Sequence, residues 1–154
     1  MRRAIARLYK HDCMKTSLVI IICLLTFTTN AQTVLGKWKT IDDETGEPKS
    51  IVEIFERGGK IHGKIIKLFR KPSEDQDPIC VECDEADPRY RKKVLGMEIM
   101  RNMVKDGDEY TGGDVLDPEN GKVYRGKIWL EGKDLKLRGY VGPFFRTQTW
   151  VREK

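Results

Sequence analysis

The sequence predicts an all-β fold: a single small up-and-down antiparallel β-barrel of about eight strands, preceded by a cleaved export signal. Three observations carry this. After residue 31, short runs of β-branched and aromatic residues recur at about ten-residue spacing. Gly, Asp, Asn and Pro separate the runs, and none of them shows a helical period. Eight such runs in the remaining chain suit a closed sheet, because closure removes exposed edges; a β-sandwich fits the same rhythm.

The first element is an address. Leu18–Leu25 is the only long apolar run, with Lys15 before it and Arg2, Arg3, Arg7 and Lys10 further upstream. A basic start, a short apolar core and small residues at Thr29 and Ala31 make a secretory signal peptide over 1–31, cut before Gln32. The core is about ten residues, against roughly 20 for a bilayer span, so no membrane span is expected in the mature chain. Met14-Lys15 is itself a compact signal start, which makes 1–13 a candidate upstream extension. A lipid-anchored Cys23 is disfavoured by Ile22, where a small residue is needed. The expected location is the periplasm or the exterior.

Removing 1–31 changes the charge argument. The whole chain of 154 residues is 34% charged with a net charge of +5, but residues 32–154 carry 24 basic and 23 acidic side chains. The apparent basicity belongs to the signal, so nucleic acid is not an expected partner.

Strands are predicted over 34–41, 50–57, 60–69, 97–105, 108–116, 122–130, 134–141 and 146–152. Gly58-Gly59, Asp106-Gly107 and Gly132-Lys133 supply tight hairpins, and Asp117-Pro118-Glu119-Asn120-Gly121 a longer turn. In 60–69 the apolar phase slips between Ile65 and Ile66, which predicts a bulge or corner. In 134–141, Leu135, Leu137, Gly139 and Val141 share one face, and Lys136, Arg138 and Tyr140 the other. Residues 70–93 break the rhythm with three X-Pro steps, an acidic half and a basic half. A loop that long is usually functional or disordered.

Chemistry-bearing residues are few. Cys80 and Cys83 are the only cysteines left after export, and a disulfide is their simplest state. It closes a small ring worth at most about 2 kcal/mol. The acidic neighbours disfavour a reactive thiolate, and a zinc site lacks two further ligands, since His62 is the one remaining histidine. His62 reads as an ordinary strand residue. No serine-nucleophile elbow or phosphate-binding glycine loop is seen, so no cofactor, metal or catalytic residue is assigned. The pairs Asp42–Asp43 and Asp114–Asp117 are the carboxylates that an enzyme would have to use.

Aromatic and arginine placements are more informative. Trp38 opens the first strand, while Arg146, Trp150 and Arg152 lie in the last, its neighbour in a closed barrel. Trp38 either plugs the barrel beneath an arginine or faces a ligand. Arg138 and Tyr140 point to solvent or into a polar cavity; the alternation fits both. The candidate ligand contacts are Trp38, Tyr124, Arg138, Tyr140 and Arg146.

The chain from about Val34 to Arg152 resembles the DUF2147 family of exported bacterial proteins. The resemblance rests on Leu35–Asp43 with Gly46 and Ser50, Gly59–Ile65, Leu95-Gly96-Met97, Gly112–Tyr124, Leu137–Gly142 and Arg146–Arg152. It implies an exported domain resembling lipocalin-type barrels whose first strand carries Gly-x-Trp, and it supplies no catalytic residue. The expected function is a non-enzymatic binding domain for a small apolar or amphiphilic ligand. The alternative is a structural or protein-interaction module of the envelope acting through loop 70–93. A carboxylate enzyme ranks third.

Overall fold

The computed structural model describes residues 32–154; the predicted signal peptide, with Cys13 and Cys23, lies outside the described residues. Eight strands run in chain order: β1 (Gly36–Ile41), β2 (Pro48–Arg57), β3 (Lys60–Leu68), β4 (Glu98–Asp106), β5 (Glu109–Leu116), β6 (Val123–Glu131), β7 (Asp134–Val141) and β8 (Phe144–Arg152). Each pairs antiparallel with the next, and β8 returns to β1, so the sheet closes into a barrel and not a sandwich. The complete sheet and its core lie within residues 32–154. Every predicted strand is present, with bounds within two residues of those expected.

The closing seam is short. Only Trp38–Arg152, Lys39–Val151 and Thr40–Trp150 face each other across β1 and β8. Side-chain packing reinforces it. Trp38 is fully buried, and its indole N–H donates to the Val34 carbonyl at 2.7 Å. The Arg152 guanidinium lies 4.1 Å above the Trp38 ring centroid and donates to the carbonyls of Leu35 and Thr33. Gly36 makes room for this stack: its φ is +116°, and a Cβ there would stand 3.1 Å from an Arg152 nitrogen. The arginine expected over Trp38 is therefore Arg152, which joins the N-terminal approach to the last strand.

Two of the sheet's irregularities shape the wall most. Val52 faces Ile65 while Ile51 faces Lys67, so Ile66 is the extra residue, at the predicted phase slip. In β4, Asn102 has φ 59°, and the kink turns both Met100 and Met103 inward although they are three residues apart. Their flexible thioethers fill the closed half with Ile54, Ile128 and Leu135.

The short hairpins 58–59, 107–108 and 132–133 lie at this closed end, and the longer connections, with the short β7–β8 turn at 142–143, at the other. In the described residues no helix is long and apolar enough to cross a membrane.

Arg152→Ala should destabilise the barrel by about 1–3 kcal/mol, since it removes a cation–π contact and two carbonyl partners. Urea unfolding followed by tryptophan fluorescence measures the change, and Arg152→Lys should recover only part of it because a lysine cannot make the planar fork.

Candidate functional site

At the open end the barrel contains a cavity of about 1700 Å³, counted with the vestibule between its loops. The alternation of each strand decides what faces it. Ile65, Ile99, Val115 and Leu137 form apolar walls, and Trp150 lies at the floor. Thr40 and Ser50 face each other across β1 and β2 with hydroxyls 2.8 Å apart, and Gln148 faces Leu137 from β8. The interior is mainly apolar, with a few placed hydroxyl and amide groups.

The predicted contact residues divide between the two sides of the wall. Tyr124 faces inward, with its ring against the Gly139 backbone, where a Cβ would stand 3.3 Å from the nearest ring carbon. Arg146 pairs across the sheet with Gly139 and lines the mouth, where its guanidinium meets Asp43 at 2.7 Å. Tyr124 and Arg146 are thus brought together at the cavity's upper wall. Trp38 plugs the opposite end. Arg138 and Tyr140 lie on the outer face: Arg138 pairs with Thr147 and donates to its hydroxyl at 2.8 Å, and Tyr140 pairs with Phe145. Val115, Leu137 and Gln148 are lining residues that the pattern of single residues missed. Period-two alternation selected Leu137 as one face of β7, but not which face was inside.

The segment between β3 and β4 folds over the mouth. Ile79 bridges Lys93, Cys80 exchanges backbone hydrogen bonds with Arg91 and Lys92, and Val94 donates to Pro78. Cys80 and Cys83 form a buried disulfide packed 3.5 Å from the Pro118 carbonyl oxygen. The β5–β6 turn fits beneath it: Gly121 has φ +68°, and a Cβ there would fall 1.7 Å from the Glu82 carbonyl oxygen. Ile79, Val81 and Glu82 thereby become part of the cavity wall.

Two charges of this segment, Asp87 and Arg89, turn inward and bind it to the barrel. Arg89 is buried, takes both oxygens of Asp87 and reaches Asp114 on β5 at 3.2 Å. Arg101 on β4 reaches Asp114 at 3.1 Å and Asp87 at 3.9 Å. Hydrogen bonding from Arg89 holds the Asp87 carboxyl down at about 2. Lys93 pairs with Asp77 within the loop itself.

Other carboxylates are tuned the same way. Backbone and hydroxyl donors of Thr45 hold Asp42 at about 2, and hydrogen bonding to Arg57 pushes Glu98 down. His62 is on the outer face, 3.1 Å from an Arg57 nitrogen and stacked on Phe55, and burial pushes its pKa down. It takes no part in the cavity. Among the described residues no group of three or more His, Cys, Asp or Glu is placed to hold a metal.

Residues 36–152 match the model of a family described as uncharacterized protein conserved in bacteria, DUF2147. A solved structure described as protein HP1028 from the human pathogen Helicobacter pylori, of the lipocalin family, is similar at a TM-score of 0.65 and 21% identity. The likeness covers 79% of this chain and 84% of that one. It establishes a shared lipocalin-like barrel. No curated protein sequence is significantly similar to the chain.

Asp87→Asn should cost about 2–3 kcal/mol, because it leaves the buried Arg89 with one acid in place of two. Because the folded-state pKa of Asp87 is depressed, its contribution is complete above the ordinary value of 3.8 and is lost as pH falls towards about 2. Limited proteolysis should cut the 70–93 segment faster in the variant at neutral pH, and in the wild type only as pH drops through that window.

Proposed function

The chain belongs to the DUF2147 family, and we propose that it is a non-enzymatic, exported binding protein that holds one small apolar or amphiphilic molecule in the open half of its barrel. The asymmetry of the interior carries this reading. One half is packed solid beneath Trp38 and the two methionines, while the other is hollow, apolar-walled and open at the mouth. Apolar walls with a few placed polar groups are the usual composition of a small-molecule site. Eight-stranded barrels have interiors that either fill with side chains or take one small ligand, and here packing leaves half unfilled.

An amphiphile would lay its tail along Val115, Leu137 and Trp150 and its polar end near Tyr124, Gln148 and Arg146. Arg146 is shared with Asp43 at the rim, so an anionic head group would compete with that carboxylate for the guanidinium. The lipocalin-family neighbour supports the reading at the level of fold. Export is supported by the signal pattern of residues 1–31. A carboxylate enzyme finds less support: Asp42 and Glu98, like Asp87, are pushed down, which makes them weak bases and leaves no proton to donate near neutral pH.

Titration with a fluorescent long-chain fatty acid should give saturable uptake at one molecule per chain. Leu137→Trp, which fills the cavity from its wall, should weaken uptake about tenfold or more, a loss of about 1.4 kcal/mol or greater. Arg146→Ala should weaken an anionic probe several-fold and leave a neutral probe of equal length nearly unaffected. Native mass spectra of the protein isolated from its source should carry a surplus mass that disappears on denaturation. A folded protein with no surplus mass and no saturable uptake of either probe overturns the reading.

A further inference from the structure

Charge is unevenly distributed around the barrel. Residues 122–152, which make β6, β7 and β8, hold eight lysines and arginines against two acids, whereas residues 32–121 hold fifteen against twenty. One wall therefore carries an excess of cations in a mature chain that is nearly neutral as a whole, although Lys127, Lys136 and Arg146 are paired with Glu109, Glu131 and Asp43 and Arg152 is held at the Trp38 plug. Its outer face is also aromatic, in an alternating ladder. Arg125 lies 5.9 Å from the Tyr140 ring, Tyr140 6.0 Å from Phe145, and Arg138 4.5 Å from Phe145 and 5.1 Å from Trp129. Among the described residues neither Arg125 nor Arg138 has a carboxylate partner.

The ladder ends at the cavity mouth, in the hairpin between β7 and β8. There Phe144 is 77% and Phe145 60% exposed, one on the inner and one on the outer side of the rim. Exposed apolar side chains rimmed by cations mark interaction sites. At the mouth Asp43 pairs with Arg146, and Asp42 and Glu119 share Lys49. We propose that this wall and its hairpin dock the protein on an anionic phospholipid surface. Arginine, tyrosine and tryptophan side chains suit the headgroup layer, and a Phe-Phe tip suits the acyl boundary just beneath it. A soluble anionic polymer would satisfy the cations but has no use for the phenylalanines. Docking in this way brings the cavity mouth to the bilayer, where an amphiphile can enter or leave; the docking itself does not depend on the cavity being a binding site.

The test is co-sedimentation of residues 32–154 with vesicles of pure phosphatidylcholine and of equal parts phosphatidylcholine and phosphatidylglycerol. Binding is expected only to the anionic vesicles and should weaken as salt rises, since each cation near such a surface strengthens adsorption about fivefold. Phe144→Ser with Phe145→Ser should weaken it about tenfold or more, and Arg125→Gln with Arg138→Gln about twenty-five-fold. Circular dichroism checks that these surface variants fold. Leu137→Trp should bind vesicles like the wild type, which separates docking from ligand uptake. No sedimentation of the wild type, equal binding to neutral vesicles, or phenylalanine-independent binding would each overturn the proposal, the last pointing to a soluble polyanion or a second copy of the chain.

Discussion

The seam between the first and last strands is the constraint on which the rest of the molecule depends. Three facing pairs make a weak ladder by themselves, and a barrel that opens there becomes a sheet with two exposed edges. The seam holds because Trp38 is buried beside it and Arg152 spans it, one planar cation stacked on the indole and bonded to carbonyls upstream of β1. Packing at the closed end and closure of the sheet are thus one event. The methionines, Ile54, Ile128 and Leu135 complete that packing, and the bulge at Asn102 allows both methionines to contribute.

A barrel closed so firmly at one end can be left unfilled at the other. The interior changes character along the axis, from Trp38 at the plug, through Trp150 and Leu137, to Tyr124, Gln148 and Arg146 near the mouth. The excursion between β3 and β4 and the β5–β6 turn build the vestibule above it, joined where the Cys80–Cys83 loop rests on Gly121. Burial of the Asp87–Arg89–Asp114 network makes that junction sensitive to the loss of any one partner, because an unpaired buried charge costs more than the pair contributes.

The 70–93 segment is tied to the barrel through Asp87 and Arg89, which reach Arg101 on β4 and Asp114 on β5, and is closed on itself by Lys93 and Asp77. Its remaining acids, among them Glu82, Asp84 and Glu85, stay exposed. On the outer face of β6–β8, Arg125 and Arg138 stand without a carboxylate partner among the described residues while Lys127 and Lys136 are paired, in strands where no single stretch looks unusually basic.

Strand number, strand bounds and the phase slip at Ile65–Ile66 were legible because period-two alternation, β-branched runs and turn glycines are local properties of the chain. The pairing of Cys80 with Cys83 was legible as the simplest state of two cysteines, and an arginine over Trp38 by the adjacency that closure imposes on first and last strands, whereas the choice between plug and ligand contact was not. The side of the wall on which Arg138 and Tyr140 lie was not. Alternation separates two faces without saying which is inside, and that choice depends on which face of all eight strands meets around a common axis. Likewise the sequence alone determined that an apolar-cored barrel forms, whereas the tertiary structure decided that its mouth end opens on a cavity. Local pattern sets which residues can be buried together; the depth to which they pack depends on bulges, close glycine contacts and loops brought together from distant parts of the chain.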